Sequence, residues 1–172
     1  MASKKCLIIP TSYDDLLESF DQLKRSFKTE LSYSTEELRN LSENEIDTKK
    51  FLDNYDYFLI IISNNFSLEI DIPRYFQVLE NIQKSGKRYW CVCDQKTIYA
   101  RTMLRDLKIL TAYLNCLPYP TPDIINLIEI YQIMTKENIP DPELRFGNWV
   151  HPYRTTEELT EYFFTQVAYL NE

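Results

Sequence analysis

The chain reads as a three-layer α/β/α sandwich built on a mostly parallel sheet. Three observations point there. Short apolar runs alternate with amphipathic helical patterns along most of the chain. Two runs, Tyr57–Ile62 and Tyr89–Cys93, are apolar throughout rather than at every second position, so both of their faces must be covered. Several helical patterns open with Ser or Thr followed three residues on by an acid, the reciprocal cap of a helix N-terminus.

Taken in order, Cys6–Ile9 forms a buried strand stopped by Pro10. Ser12 with Asp15 predicts the cap of a helix whose stripe is Leu16, Leu17, Phe20, Leu23 and Phe27. Glu30–Tyr33 is a weak strand, and Ser34–Glu37 predicts a second cap ahead of Leu38 and Leu41, with a further helical turn between Ile46 and Leu52. Tyr57–Ile62 is the central strand. Pro73 opens the next helix, whose stripe is Tyr75, Phe76, Leu79 and Ile82, and Gly86 closes it in the left-handed conformation. The Tyr89–Cys93 strand follows. Ala100, Met103, Leu104, Leu107, Leu110 and Leu114 form one helical stripe, with Arg101, Arg105 and Lys108 off it. After a proline break, Thr121 caps and Pro122 opens a helix carrying Ile124, Leu127, Ile128 and Tyr131. Trp149–His151 is a short last strand, and Thr155–Glu158 caps a closing helix with Leu159, Phe163, Val167 and Leu170. Right-handed crossovers then place helices on both faces of the sheet. Residues 1–172 form one domain. The segment 121–172 is too apolar to stand alone and is read within that domain, at most as its C-terminal helical extension.

Composition narrows the function. With 172 residues, 44% of them hydrophobic, the chain can bury a core without disulfide or metal staples. Its two glycines, Gly86 and Gly147, cannot write a phosphate-binding loop or a dinucleotide fingerprint. One histidine, His151, excludes a multi-histidine zinc site and reads as a packed ring. Cys6, Cys91, Cys93 and Cys116 lack the spacing of a redox or zinc motif and read as reduced thiols, which places the chain in the cytoplasm. No apolar run is long enough to span a membrane. The formal net charge of -7 argues against nucleic acid, which is bound mainly through Lys and Arg. Residues 84–108 nevertheless hold seven basic against two acidic side chains, and residues 121–172 hold nine acidic against three basic.

In parallel sheets ligands sit at the carboxyl ends of the strands. That rule selects Ser12, Tyr13 and Asp14 after the first strand, Ser63 and Asn64 after the central one, and Asp94 after the next, as ligand-binding candidates. The hydroxyl-rich first loop opens a helix, whose N–H groups suit a phosphate or carboxylate. Glu69 and Asp71 are the candidate catalytic carboxylates, suited to general-base work or to stabilising a developing ribosyl cation.

The first strand running into Ser12-Tyr13-Asp14-Asp15, the stretch Asp53–Ser67 with its acidic lead-in, apolar strand and Ser63-Asn64-Asn65-Phe66-Ser67 ending, and Gly86-Lys87-Arg88 before the next strand resemble Toll/interleukin-1 receptor (TIR) domains. The resemblance covers roughly residues 5–115 and is one of pattern; nucleoside deoxyribosyltransferases share the outline. It implies a flavodoxin-like parallel sheet, self-association or contact with another protein, and signalling or defence roles. Some members of that family cleave NAD with a Glu on the helix after the third strand. Here the Ser/Trp-Cys-x-x-Glu-Leu stretch is missing, and that position falls near Tyr75. The expectation is therefore a non-catalytic interaction module that requires no cofactor. The alternative is an enzyme cleaving the N-glycosidic bond of NAD or a nucleoside, with Glu69 as the carboxylate and Ser12, Tyr13 and Asp94 lining the crevice. A third reading is an immunity-type binding protein.

Overall fold

The computed structural model describes residues 4–14, 17–31, 33–46, 50–63, 65–67, 71–103, 122–135 and 150–168. Asp15, Leu16, the stripe from Leu104 to Leu114 with Arg105 and Lys108, Cys116, the proline break with Thr121, Trp149 and Leu170 lie outside the described residues.

Five strands form one all-parallel sheet: β1 (Lys4–Pro10), β2 (Tyr33–Glu37), β3 (Tyr57–Ile62), β4 (Tyr89–Asp94) and β5 (Val150–Tyr153), in the order β2-β1-β3-β4-β5. The helices are α1 (Leu17–Leu31), α2 (Glu43–Ile46), α3 (Ile72–Lys84), α4 (Gln95–Met103), α5 (Pro122–Thr135) and α6 (Thr156–Ala168). The sheet with its helices is an α/β fold of flavodoxin-like type. β3 and β4 lie side by side and point the same way, with Phe58 opposite Tyr89 and Ile62 opposite Cys93.

Alternate residues of the central strands feed two cores. Leu7, Ile9, Phe58, Ile60, Ile62, Cys91 and Cys93 pack under α3 and α5 and the connection 38–55. Cys6, Ile8, Leu59, Ile61 and Val92 pack under α1 and α6, through Leu23, Phe27, Leu159 and Phe163. From Phe58 to Ile62 both faces of β3 are therefore fully buried, which is what a strand apolar at every position requires. On α3 the stripe residues Tyr75, Leu79 and Ile82 are buried, Val78 joins them and Phe76 is partly buried; Leu23 and Phe27 of α1, Leu127 of α5, and Leu159 and Phe163 of α6 are buried as well. Gly86 takes φ +69°, the left-handed turn that releases the chain from α3 into β4.

Two local readings change. The weak strand expected at Glu30–Tyr33 starts only at Tyr33, because α1 runs through Leu31. Ser34–Glu37 is not a helix cap but β2 itself, an edge strand paired with β1 from Lys4–Tyr33 to Ile8–Glu37. The cap lies at Ser42, whose N–H and hydroxyl both bond Glu45 Oε2 at 2.8 and 2.6 Å, opening α2. Ser12 enters a parallel bridge with Ser67; its predicted capping partner Asp15 lies outside the described residues. At the chain's last helix the expected cap forms, with Glu158 N–H on Thr155 Oγ1 at 3.3 Å and the Glu158 carboxylate on Arg154 N–H at 2.8 Å.

Candidate functional site

The strand order reverses between β1 and β3, and their carboxyl ends form the switch point where such sheets hold ligands. Here the two strands stay joined past their ends. Thr11 N–H donates to Ile61 O at 2.9 Å, and Ser67 N–H donates to Thr11 O at 2.9 Å. Thr11 Oγ1 and Ser63 Oγ lie 3.0 Å apart and both reach the Asn65 carbonyl, at 3.1 and 2.8 Å. Ser63 N–H returns to Thr11 Oγ1 at 2.9 Å. From the next strand, α4 starts directly at Gln95, and Thr97 Oγ1 donates to Ser63 O at 3.1 Å. Tyr153 OH reaches Ile62 O at 3.4 Å. Thr11, Ser12, Ser63 and Thr97 are all at most 5% exposed. The hydroxyls at this end thus satisfy buried backbone groups, which would otherwise be costly to leave unpaired.

The remaining candidates divide. Tyr13 is buried, accepts Arg39 N–H at 3.1 Å on its hydroxyl, and carries the Arg39 guanidinium 4.2 Å above its ring. Asp14 is exposed. Asp71 is an exposed N-cap of α3, accepting Arg74 N–H at 3.0 Å and pairing with the Arg74 side chain at 3.0 Å. Asp94 accepts Lys96 N–H at 2.7 Å and caps α4. Asn64 and Glu69 lie outside the described residues. The switch point therefore gathers Ser12 and Ser63, while Asp71 and Asp94 each serve a different helix terminus.

Sequence reading missed one cluster. Glu37, at the carboxyl end of β2, is 4% exposed and bridges Lys24 Nζ and Arg39 Nε, each at 2.7 Å. Those hydrogen bonds and charges push the Lys24 ammonium pKa up, the Glu37 bond first. The two cations compensate the buried carboxylate and tie α1 and the loop after β2 to the sheet edge. The arrangement also orients Tyr13 through Arg39. The signal available was a single Glu at an inward position of a polar strand. A cleft of about 380 Å³ runs over β2 beside this cluster, between Lys5, Lys24, Glu36 and Glu37. Both signs of charge line it.

Tyr75, where the resemblance places an acid, is 1% exposed on the first turns of α3. Phe66 meets its ring edge-on at 6.3 Å, and its hydroxyl has no hydrogen-bond partner. Burial raises its pKa far above the usual phenol range, so the group is a neutral phenol. Burial likewise raises the thiol pKa values of Cys6, Cys91 and Cys93, which makes them inert core residues. Among the described residues no His, Cys, Asp and Glu gather as a metal site, and no helix is long and apolar enough to cross a membrane.

The described part of the basic stretch is not one patch. Arg88 precedes β4 and Lys96 follows it, so a six-residue strand separates them, about 20 Å at the usual rise. Lys87 is taken up internally, donating to Leu52 O at 2.6 Å and Tyr55 O at 3.1 Å. His151 stacks on Tyr162, ring centroids 3.9 Å apart. No protein-family model matches the chain, and no curated protein matches it.

Proposed function

We propose that the chain acts as a protein-interaction module on a flavodoxin-like scaffold, the role its resemblance to TIR domains implies. The observation that carries this reading is the mutual bonding of Thr11, Ser63 and Thr97 across the switch point. A crevice that binds and turns over a ligand presents such hydroxyls to it; here they hold the loops to each other. The neutral, buried Tyr75 supports the same reading, because a phenol of raised pKa supplies no negative charge to a developing ribosyl cation.

The test has two arms. Light scattering over a concentration series, with copurification from the native source, is expected to show self-association or a stoichiometric complex. Incubation with NAD and with deoxynucleosides is expected to leave both intact. A chain that stays a 20.6 kDa monomer and copurifies with nothing would overturn the proposal. So would turnover proportional to protein concentration, and Glu69→Ala would then show whether that carboxylate drives it.

A further inference from the structure

Resting on the interaction reading, we infer that the partner is a second copy of the chain, joined edge to edge through β2 in an antiparallel seam with its two-fold axis at Thr35. Among the described strands β2 pairs with β1 alone, so it is a free edge of the sheet. Its backbone groups divide by alternation. Lys5 turns its N–H and C=O toward β3, where they meet the Asp56 carboxylate at 2.8 Å and the Asp56 N–H at 2.9 Å. Neighbouring residues of a strand point these groups the opposite way, so Lys4 and Cys6 turn theirs to β2, and the ladder there falls on Ser34 and Glu36. Tyr33, Thr35 and Glu37 then turn theirs away from the sheet. The opposite edge is less suited to pairing: β5 has four residues, and Pro152 has no N–H to offer.

The cleft of about 380 Å³ follows this edge. Ser34 and Glu36 line it from the face of the sheet that carries Leu7, and Thr35 and Glu37 from the face that carries Cys6 and Ile8. Lys5 stands behind Ser34, and Lys24 and Asn40 complete the wall; every one of them is among the described residues. Ser34 is exposed, and Thr35 and Glu36 are half-buried. The edge is therefore reachable over four consecutive residues, which is what addition of another strand requires.

Register and charge select the occupant. With Thr35 on the axis, it exchanges two N–H···O=C bonds with its copy, and Glu37 N–H reaches the Tyr33 carbonyl of the other chain at each end. All four bonds use groups that the sheet leaves turned outward. The Glu37 carbonyl instead starts the turn Leu38–Asn40. Glu36 then stands opposite Ser34 of the copy and Glu37 opposite Tyr33, so no two carboxylates face each other. Beside that Ser34, on the same face, lies Lys5. Glu36 accepts the Tyr55 hydroxyl at 2.7 Å, and among the described residues neither Glu36 nor Lys5 has an ion-pair partner. Each end of the seam thus brings one carboxylate to one ammonium of the other chain. Glu37 is already compensated by Lys24 and Arg39. A parallel seam would set Glu36 beside Glu36, so the edge is self-complementary in the antiparallel sense alone.

A seam this short belongs with small, transient interfaces, so dimerisation is followed by sedimentation velocity of the full chain in a series reaching about 1 mM. The parent is expected to pass from monomer to dimer. Glu36→Lys is expected to weaken the dimer about tenfold or more, and Lys5→Glu/Glu36→Lys, which exchanges the charges, to restore it. The exchanged variant also lacks the Tyr55 bond, so its recovery assigns the loss to charge. Thr35→Cys is expected to crosslink to its own copy under mild oxidation, because residues facing each other across the axis stand about 5.5 Å apart at Cα. Ser34→Cys, whose copy lies diagonally about 7–8 Å away, is expected to crosslink far less, with the parent's own cysteines as background. Dimerisation unchanged by Glu36→Lys, no recovery in the exchanged variant, or crosslinking no better at 35 than at 34 would overturn the seam and leave self-association standing. Where Glu36→Lys fails to fold, the crosslinking decides alone. A parent chain that stays monomeric would overturn the seam too; a stoichiometric complex with a different protein would then preserve the interaction reading, and the lack of any complex would remove both.

Discussion

At the carboxyl ends of β1 and β3, polar side chains are turned inward and bonded to each other; toward the amino ends of β3 and β4, Tyr57 and Trp90 are left half-buried, with Lys4 over the Tyr57 ring. The first end contains Thr11, Ser63 and Thr97, each at most 5% exposed. The second contains the Tyr57–Trp90 stack under Lys4. Parallel α/β sheets ordinarily hold ligands at the carboxyl end. In this chain the hydroxyls there hold the loops to each other, and the half-buried rings stand at the other end of the same strands.

The largest effect should come from breaking the closed end. Thr11→Val keeps the side-chain shape but removes the oxygen that joins Ser63 N–H, Ser63 Oγ and Asn65 O. One buried donor is left unpaired and two further bonds are lost, so stability should fall by about 2–4 kcal/mol in urea denaturation. A loss under about 0.5 kcal/mol, typical of ordinary surface changes, would mean the loops are held by something other than these hydroxyls. At the other end, Trp90→Ala removes more atoms but leaves less behind unsatisfied. Its half-buried ring should cost about 1–2 kcal/mol, from lost area and the Tyr57 stack. If Trp90→Ala proves the costlier of the two, the aromatic strip is core rather than surface. Gly86→Ala, also at the amino end, meets no atom within 4 Å and carries only the strain of φ +69°. It should cost about 1 kcal/mol by the same measurement.

The two ends also differ in how far the sequence displayed them. β3 and β4 were legible because doubly buried strands must be apolar at every position, and α3 because its stripe, its proline and Gly86 agree. β2 was not. Ser34-Thr35-Glu36-Glu37 and Ser42-Glu43-Asn44-Glu45 carry the same capping pattern, yet only the second caps a helix. What makes the first a strand is nonlocal: the β1 ladder and the pairing of Glu37 with Lys24 and Arg39. The same holds at the switch point. Hydroxyls at strand ends are visible in sequence, but whether Ser12 faces a ligand or another loop is decided by its bridge to Ser67, 55 positions away. Trp90 and Tyr57 read as buried because their neighbours are, yet both are half-buried.

The smallest effect lies toward the sheet edge beside these rings. His151 on β5 stacks against Tyr162, and Tyr162 meets Phe163 beneath Trp90. Loss of water around the imidazole lowers its pKa below 6.5, and the Glu158 charge offsets only part of that. The folded chain then binds this proton less readily than the unfolded chain. Its contribution is complete above pH 6.5, falls away as pH drops toward the folded pKa, and stays lost below it. Stability measured from neutral pH down to about 5, above most carboxylate titration, should therefore decline more in the parent than in His151→Phe, which keeps the stack and removes the proton. The informative quantity is the difference between the two curves, since every other titrating group is common to both. His151 is exposed on β5, so a flat difference would show that the stack on Tyr162 leaves the imidazole as well hydrated as in the unfolded chain. A difference that opens below pH 6.5 would show Tyr162 shielding the ring.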